Sequence, residues 1–171
     1  MEIKKYLPFE NYTLITKLSI TEVYDRISKN VEIKNPFSFP SFNHTPQMPF
    51  NGQVNADSFK IRRNINYRNS FLPIISGKMS AFSGQTIITI KMRLSIYVSI
   101  FISIWLGFVG LFCLGFLIAF FLHSRIGFVP MMIIPFAMFI FGCLLTSWSF
   151  KKESKISKEY LASLFEGHEV D

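Results

Sequence analysis

Charge is missing where most chains would have it. Between Arg93 and Lys151, 57 residues carry one formal charge, Arg125. The stretch has no Asp, Glu or Lys, so a proton relay or ion path through it has no carrier. Cysteine is almost absent too. Cys113 and Cys143 both lie in this apolar stretch, where they read as packing residues and not as a disulfide or metal pair. The histidines, His44, His123 and His168, fall in three separate segments and cannot meet as a metal centre. No Ser/His/Asp set, nucleophile elbow or glycine-rich phosphate loop occurs. These absences lead us to expect no enzyme activity, no catalytic residue, no metal and no cofactor.

What the stretch does contain is two long apolar runs, residues 95–122 and 127–150. A spanning helix needs roughly 20 apolar residues, because each rises about 1.5 Å through about 30 Å of hydrocarbon. A buried helix pair in a soluble domain would be shorter and would keep a polar stripe. Here Phe101, Ile104, Trp105, Phe108, Leu111, Phe112 and Phe116 point all round the helix. The expectation is a transmembrane hairpin with a short external turn at residues 123–126. Lys91 and Arg93 precede it and Lys151, Lys152, Lys155 and Lys158 follow it, which places both termini in the cytoplasm. Residues 1–10 carry Lys4 and Lys5 but no apolar run, so no signal peptide is expected. Gly107, Gly110 and Gly115 in the first run and Gly142 in the second let backbones approach, marking a hairpin seam or a self-association face. Trp148 sits where an interfacial anchor would, whereas Trp105 lies inside its run and should pack. Pro130 suits a first turn, and Pro135 should kink the second helix.

The flanking segments divide the chain into residues 1–94, the two runs with their turn, and residues 151–171. Residues 1–94 hold 13 Lys/Arg against 6 Asp/Glu. A basic segment beside a cytoplasmic leaflet is attracted to anionic lipid at about 1 kcal/mol per nearby basic residue. Nucleic acid is the competing partner for such a segment, but no recognition-helix or RNA-binding aromatic pattern accompanies the charge, and no nucleic acid is expected. Alternation over Tyr12–Ile20 predicts a strand, and Ser19-Ile20-Thr21-Glu22 has the form of a capping box opening a short helix that ends near Asn30. Residues 31–49 read as a Pro/Phe loop whose rings cover a sheet or dip into headgroups. A meander follows over residues 50–55, 58–68, 71–82 and 85–93. Pro73 and Gly77 suggest an edge or a bulge in the third of these strands.

Within the meander, Arg62, Arg63, Arg68, Asn69, Lys91 and Arg93 are the candidate contacts for an anion or lipid headgroup. Arg63 shares a strand face with Ile61 and Ile65, where a charge needs a partner or ligand unless its head reaches solvent at a rim. The tail places Ile156, Tyr160, Leu161, Leu164 and Phe165 on one helical stripe with Glu153, Lys155, Lys158, Glu159 and Glu166 outward. That stripe should dock on the sheet.

The element order predicts an α+β cytoplasmic domain: an antiparallel sheet with an N-terminal helix and a C-terminal helix, interrupted by a transmembrane hairpin. It resembles a reduced helix-grip fold of the START kind, with the hairpin inserted before the last helix. The segment Tyr67-Arg68-Asn69-Ser70-Phe71-Leu72-Pro73 resembles a Y-R-N-S-F-x-P motif in small uncharacterised bacterial two-span membrane proteins. That resemblance implies the bacterial inner (cytoplasmic) membrane and supplies no activity. The expected function is a non-enzymatic membrane-anchored module binding membrane lipids, an apolar ligand or a protein partner. The alternative is an accessory or structural subunit of a larger complex, held by self-association or partner contacts of the hairpin.

Overall fold

A computed structural model describes residues 7–33, 47–122 and 133–170. The external turn, Pro130, His44 and most of the Pro/Phe loop therefore lie outside the described residues. The elements are β1 (Phe9–Thr16), α1 (Ile20–Ser28), β2 (Val31–Ile33), β3 (Phe50–Val54), β4 (Ser58–Arg63), β5 (Ile74–Phe82), β6 (Gln85–Arg93), α2 (Ile96–Leu122), α3 (Ile133–Leu164) and β7 (His168–Val170). The α+β class with a long apolar helix pair is as the sequence predicts.

One mixed sheet has the order β2-β3-β4-β5-β6-β1-β7. The meander β3 to β6 is antiparallel throughout, and β1 pairs with β6 from Phe9↔Arg93 to Thr16↔Thr86. The capping box forms as predicted. The Ser19 hydroxyl accepts the Glu22 amide, and Glu22 takes the Ser19 amide at 2.7 Å, which holds its carboxyl below the usual range. Three-residue edge strands, parallel β2 and antiparallel β7, leave little unpaired backbone at either end.

Several strand readings need correction. The first strand is Phe9–Thr16 and stops before Ile20, which opens α1, and Val31–Ile33, read as loop, joins the sheet beside β3. β5 is central and regular, not an edge or a bulge: Pro73 precedes it, and Gly77 lies beneath the Phe59 ring, which a Cβ would strike. The chain spends its glycine there to seat an aromatic ring across the β4–β5 pair. β4 stops at Arg63 instead of continuing to Arg68. The Asn64 amide makes one last bond in the β3–β4 register, to the Pro49 carbonyl at 2.8 Å, and its side chain donates to the Met48 carbonyl and Glu32. On the other side the β4–β5 pairing ends at Arg62↔Ile74, because Pro73 has no amide to give the next rung. Residues 64–73 thus leave the ladder as a loop, with consequences for the site below.

The helix-facing side of the sheet supplies the core: Tyr12, Leu14, Phe59, Ile61, Ile75, Met79, Ile88, Ile90 and Met92. The second half of α3 lies on it through Phe150, Leu161 and, just past its end, Phe165. Phe50 meets Tyr160 edge-on at 5.2 Å, and Phe59 meets Phe165 at 6.1 Å. Side chains fill this space, which disfavours an apolar ligand chamber between sheet and helix.

α3 itself differs from the sequence reading, which places a boundary between residues 150 and 151. A single 32-residue helix runs from the apolar segment onto the sheet. It follows β1 outward: Lys151 donates to the Phe9 carbonyl, Ser154 to Glu10 at 2.6 Å, and the Thr16 hydroxyl to the Phe165 carbonyl. Its end is a Schellman turn. Glu166 adopts φ 48°, and the Glu166 and Gly167 amides return to Ser163 and Ala162 before β7 begins.

α2 and the first part of α3 are long and apolar enough to cross a membrane, and their side chains lie mostly on the outside of the structure. A core helix of a soluble protein would be covered. Trp105 packs over Gly142 and Phe139 approaches Gly110, so these two glycines form the seam. Gly107 and Gly115 face open space. Pro135 is the third residue of the described helix, and the turn before it, on which the expected kink depends, lies outside the described residues.

Tyr12 is buried, with a hydroxyl that has no hydrogen-bond partner among the described residues, and Lys158 lies 4.8 Å above its ring. Burial, with Glu10 and Glu169 nearby, pushes its phenol above the usual tyrosine range. The unfolded chain then releases this proton near pH 10 while the folded chain keeps it, so stability falls as pH rises through that value. Tyr12→Phe should leave stability at pH 7 within about 1 kcal/mol and flatten the alkaline loss above pH 10. Denaturant titrations of both proteins from pH 8 to 11 check this.

Candidate functional site

The polar residues that the sequence offers as one site fall into two places. β4, β5 and β6 alternate, so residues two apart share a face. Arg62, Lys91 and Arg93 lie on the open face of the sheet, together with Lys60 and Lys78. Arg63, Arg68 and Asn69 go to the other side, beside α3.

The open face is ordered in rows. Arg62, Ile74, Arg93 and Phe9 form the row nearest the apolar helices, since β6 runs into α2 three residues after Arg93. Lys60, Ser76, Lys91 and Asn11 form the next, about 7 Å farther out, and Lys78 lies in a third. From β3 to β6 and on β1, no outward position holds an acidic residue. Arg62 and Arg93 stand two strands, or about 10 Å, apart, where like charges cost about 0.4 kcal/mol in water. Arg62 is also half buried, and desolvation lowers its guanidinium below the usual arginine range. Glu32 of β2 stands in the same row, two strands from Arg62 on its other side, so the excess positive charge of the face lies with Arg93, Lys91, Lys60 and Lys78.

On the other side, the loop after β4 closes over α3 at the level where the apolar run ends. Its focus is Glu153, which is 2% exposed. The sequence reading places Glu153 outward, and the structure corrects this. The buried stripe of α3 is Phe150, Glu153, Ser154, Ser157 and Leu161, while Tyr160 is half exposed. Hydrophobicity alone picks the wrong side because this stripe is polar at its start. Its serines are satisfied: Ser157 bonds back to the Glu153 carbonyl at 2.8 Å, and Ser154 reaches Glu10. Glu153 pairs with Arg63 at 2.7 Å and accepts from the Tyr67 hydroxyl and from Asn69 at 3.3 Å. Arg63, on an apolar strand face, has found its carboxylate partner. The Asn69 side-chain oxygen also accepts the Phe71 amide at 3.0 Å, folding the loop into an Asx turn. The Glu153 bond, with burial and the carboxylate charge, pushes the Tyr67 phenol above its usual range.

Above this cluster lies a cleft of about 410 Å³, lined by Tyr67, Arg68, Asn69, Ser70, Phe71, Trp148, Ser149, Lys152 and Glu153. No group of three metal-ligating side chains occurs among the described residues. No protein-family model and no curated protein matches the chain.

Sequence reasoning marked Arg63 as needing a partner but did not find Glu153. The signal available was an acidic residue three positions after Phe150, one helical turn past the end of the apolar run.

A buried ion pair that loses one member leaves an uncompensated charge, which costs about 3–5 kcal/mol. Glu153→Ala and Arg63→Ala should each destabilise the domain by about that much, and the Arg63→Met/Glu153→Met pair by far less. Denaturation of the four proteins in one detergent checks the non-additivity.

Proposed function

We propose that this chain is a non-enzymatic, membrane-anchored module of the bacterial inner membrane. Its hairpin spans the bilayer with both termini in the cytoplasm, and its basic α+β domain engages anionic lipid headgroups. The observation carrying this reading is the level at which the basic groups gather. Arg62, Arg93, Arg68, Lys151 and Lys152 lie at the end of the domain where both apolar helices enter, and Lys60 and Lys91 stand one row out. That row is within the Debye length of about 8–10 Å at physiological salt, so it still feels a charged leaflet. Basic groups beside the ends of both apolar helices also favour the cytoplasmic orientation. The filled space between sheet and α3 directs ligand binding to the outside of the domain.

A second reading, an accessory subunit held through the hairpin, is favoured by one observation. Phe108, Leu111, Phe112, Gly115, Phe116 and Ala119 form an open apolar groove along α2, on the side away from Gly110, the α2 glycine at the seam. A purified chain that is monomeric and without a co-purifying protein contradicts this second reading.

Spin-labelled phosphatidylglycerol and phosphatidylcholine, compared in bilayers containing the full chain, measure lipid preference directly. The anionic lipid should associate more strongly, and the preference should shrink with added salt. Removing Lys60, Lys91 and Arg93 as glutamines should lower it, by up to about fivefold for each residue that lies at the surface. Equal association of the two lipids overturns the reading.

A further inference from the structure

The cleft beside Glu153 is a different kind of feature from the open sheet face, because it has walls. Its volume of about 410 Å³ falls in the roughly 300–1,000 Å³ range of small-ligand sites. One wall is apolar, Trp148 with Phe71. The other is polar, with Arg68, Asn69 and Ser70 from the loop and Ser149 and Lys152 from α3. Trp148 is 67% exposed, and Lys152 lies 5.6 Å over its ring. Apolar and polar walls meet where the apolar run of α3 gives way to Lys151 and Lys152.

The electrostatics select the ligand's sign. Glu153 forms part of the floor, but Arg63 neutralises it at Oε2 and Tyr67 and Asn69 both donate to Oε1. Arg68 and Lys152 are exposed, and neither pairs with a carboxylate among the described residues. The cleft therefore presents two cations without a carboxylate partner and the hydroxyls of Ser70 and Ser149. A cation would be repelled, and a wholly apolar ligand would leave the polar wall without partners. A phosphate group fits: arginine offers a planar fork of donors and lysine a point charge.

We propose that this cleft is a binding site for the phosphate of an anionic phospholipid, with the acyl end directed along Trp148 and Phe71. The proposal rests on the membrane-anchored reading above and adds a discrete site to it. The buried Arg63–Glu153 pair then serves to hold the loop carrying Arg68, Asn69 and Ser70 against α3. The structure gives binding a built-in reporter. Of the two tryptophans, Trp148 lines the cleft, and Trp105 is packed on Gly142 in the hairpin seam.

The test uses the full chain in bilayers containing phosphatidylglycerol or phosphatidylcholine brominated at the same acyl positions near the headgroup. Tryptophan quenching should be greater with the brominated anionic lipid, since Trp105 contributes equally in both. Arg68→Gln and Lys152→Gln should each reduce this excess and together abolish it, Arg68→Lys should keep much of it, and Lys17→Gln, an exposed residue just past the far end of β1, should leave it in place. Circular dichroism on each variant establishes that it is folded. Inorganic phosphate, added against chloride of equal ionic strength, separates the sources. Loss of the excess identifies a site that free phosphate also occupies, and persistence identifies one that takes the phosphate only on a lipid. An excess that survives in the folded Arg68→Gln/Lys152→Gln protein overturns the cleft. If spin-label selectivity for anionic lipid persists in that case, the surface reading stands without the cleft. If that selectivity is absent in the unaltered chain, both fall.

Discussion

The rest of the structure depends on a carboxylate buried one turn beyond the apolar run of α3. Glu153 can stay there only because Arg63 arrives from the end of β4 and Tyr67 and Asn69 from the loop that follows. Those contacts fix α3 in rotation and in height relative to the sheet. Once Glu153 faces the sheet, the 3.6-residue repeat brings Ser157 and Leu161 to the same side, with Phe165 just beyond. The Schellman turn then returns the chain as β7 beside β1. A purely apolar stripe could slide by a turn at modest cost. A buried charge with three donors cannot, because a shift would strand it unpaired.

The same helix carries the apolar segment, so no linker separates the anchor from the domain. Lys151 and Lys158 add contacts along β1, to the Phe9 carbonyl and to Glu10. These half-buried pairs are each worth less than the Glu153 cluster. They lie on the opposite flank of α3 from the Arg63 cluster, and together the two flanks hold the helix along β1. The result is a domain whose height and orientation follow from where α3 enters the bilayer in our reading.

Much of this was legible in the residues. The apolar runs, the capping box, the Gln85–Arg93 strand and the docking of the tail on the sheet all follow from composition and period. Three things were hidden, each for a physical reason. The end of β4 depends on Pro73, which cannot donate the next rung of the β4–β5 ladder, and on the Asn64 side chain taking Met48 and Glu32 as partners, choices that alternation within one strand cannot register. The inward face of α3 begins with Glu153, Ser154 and Ser157, so a hydrophobic stripe points the wrong way until their partners are known. The six candidate anion contacts separate into two sites because β4 places Arg62 and Arg63 on opposite faces, and only the sheet order shows which face holds a helix. The short edge strands β2 and β7 carry too few residues to show a period.

The central claim is that α3 is one uninterrupted helix locked to the sheet at Glu153. Amide hydrogen exchange across residues 147–157 of the full chain in lipid tests it most directly. The account predicts continuous protection through Lys151, Lys152 and Glu153, matching that of Leu161. Rapid exchange confined to residues 150–153, between protected flanks, would reveal a hinge there and contradict it.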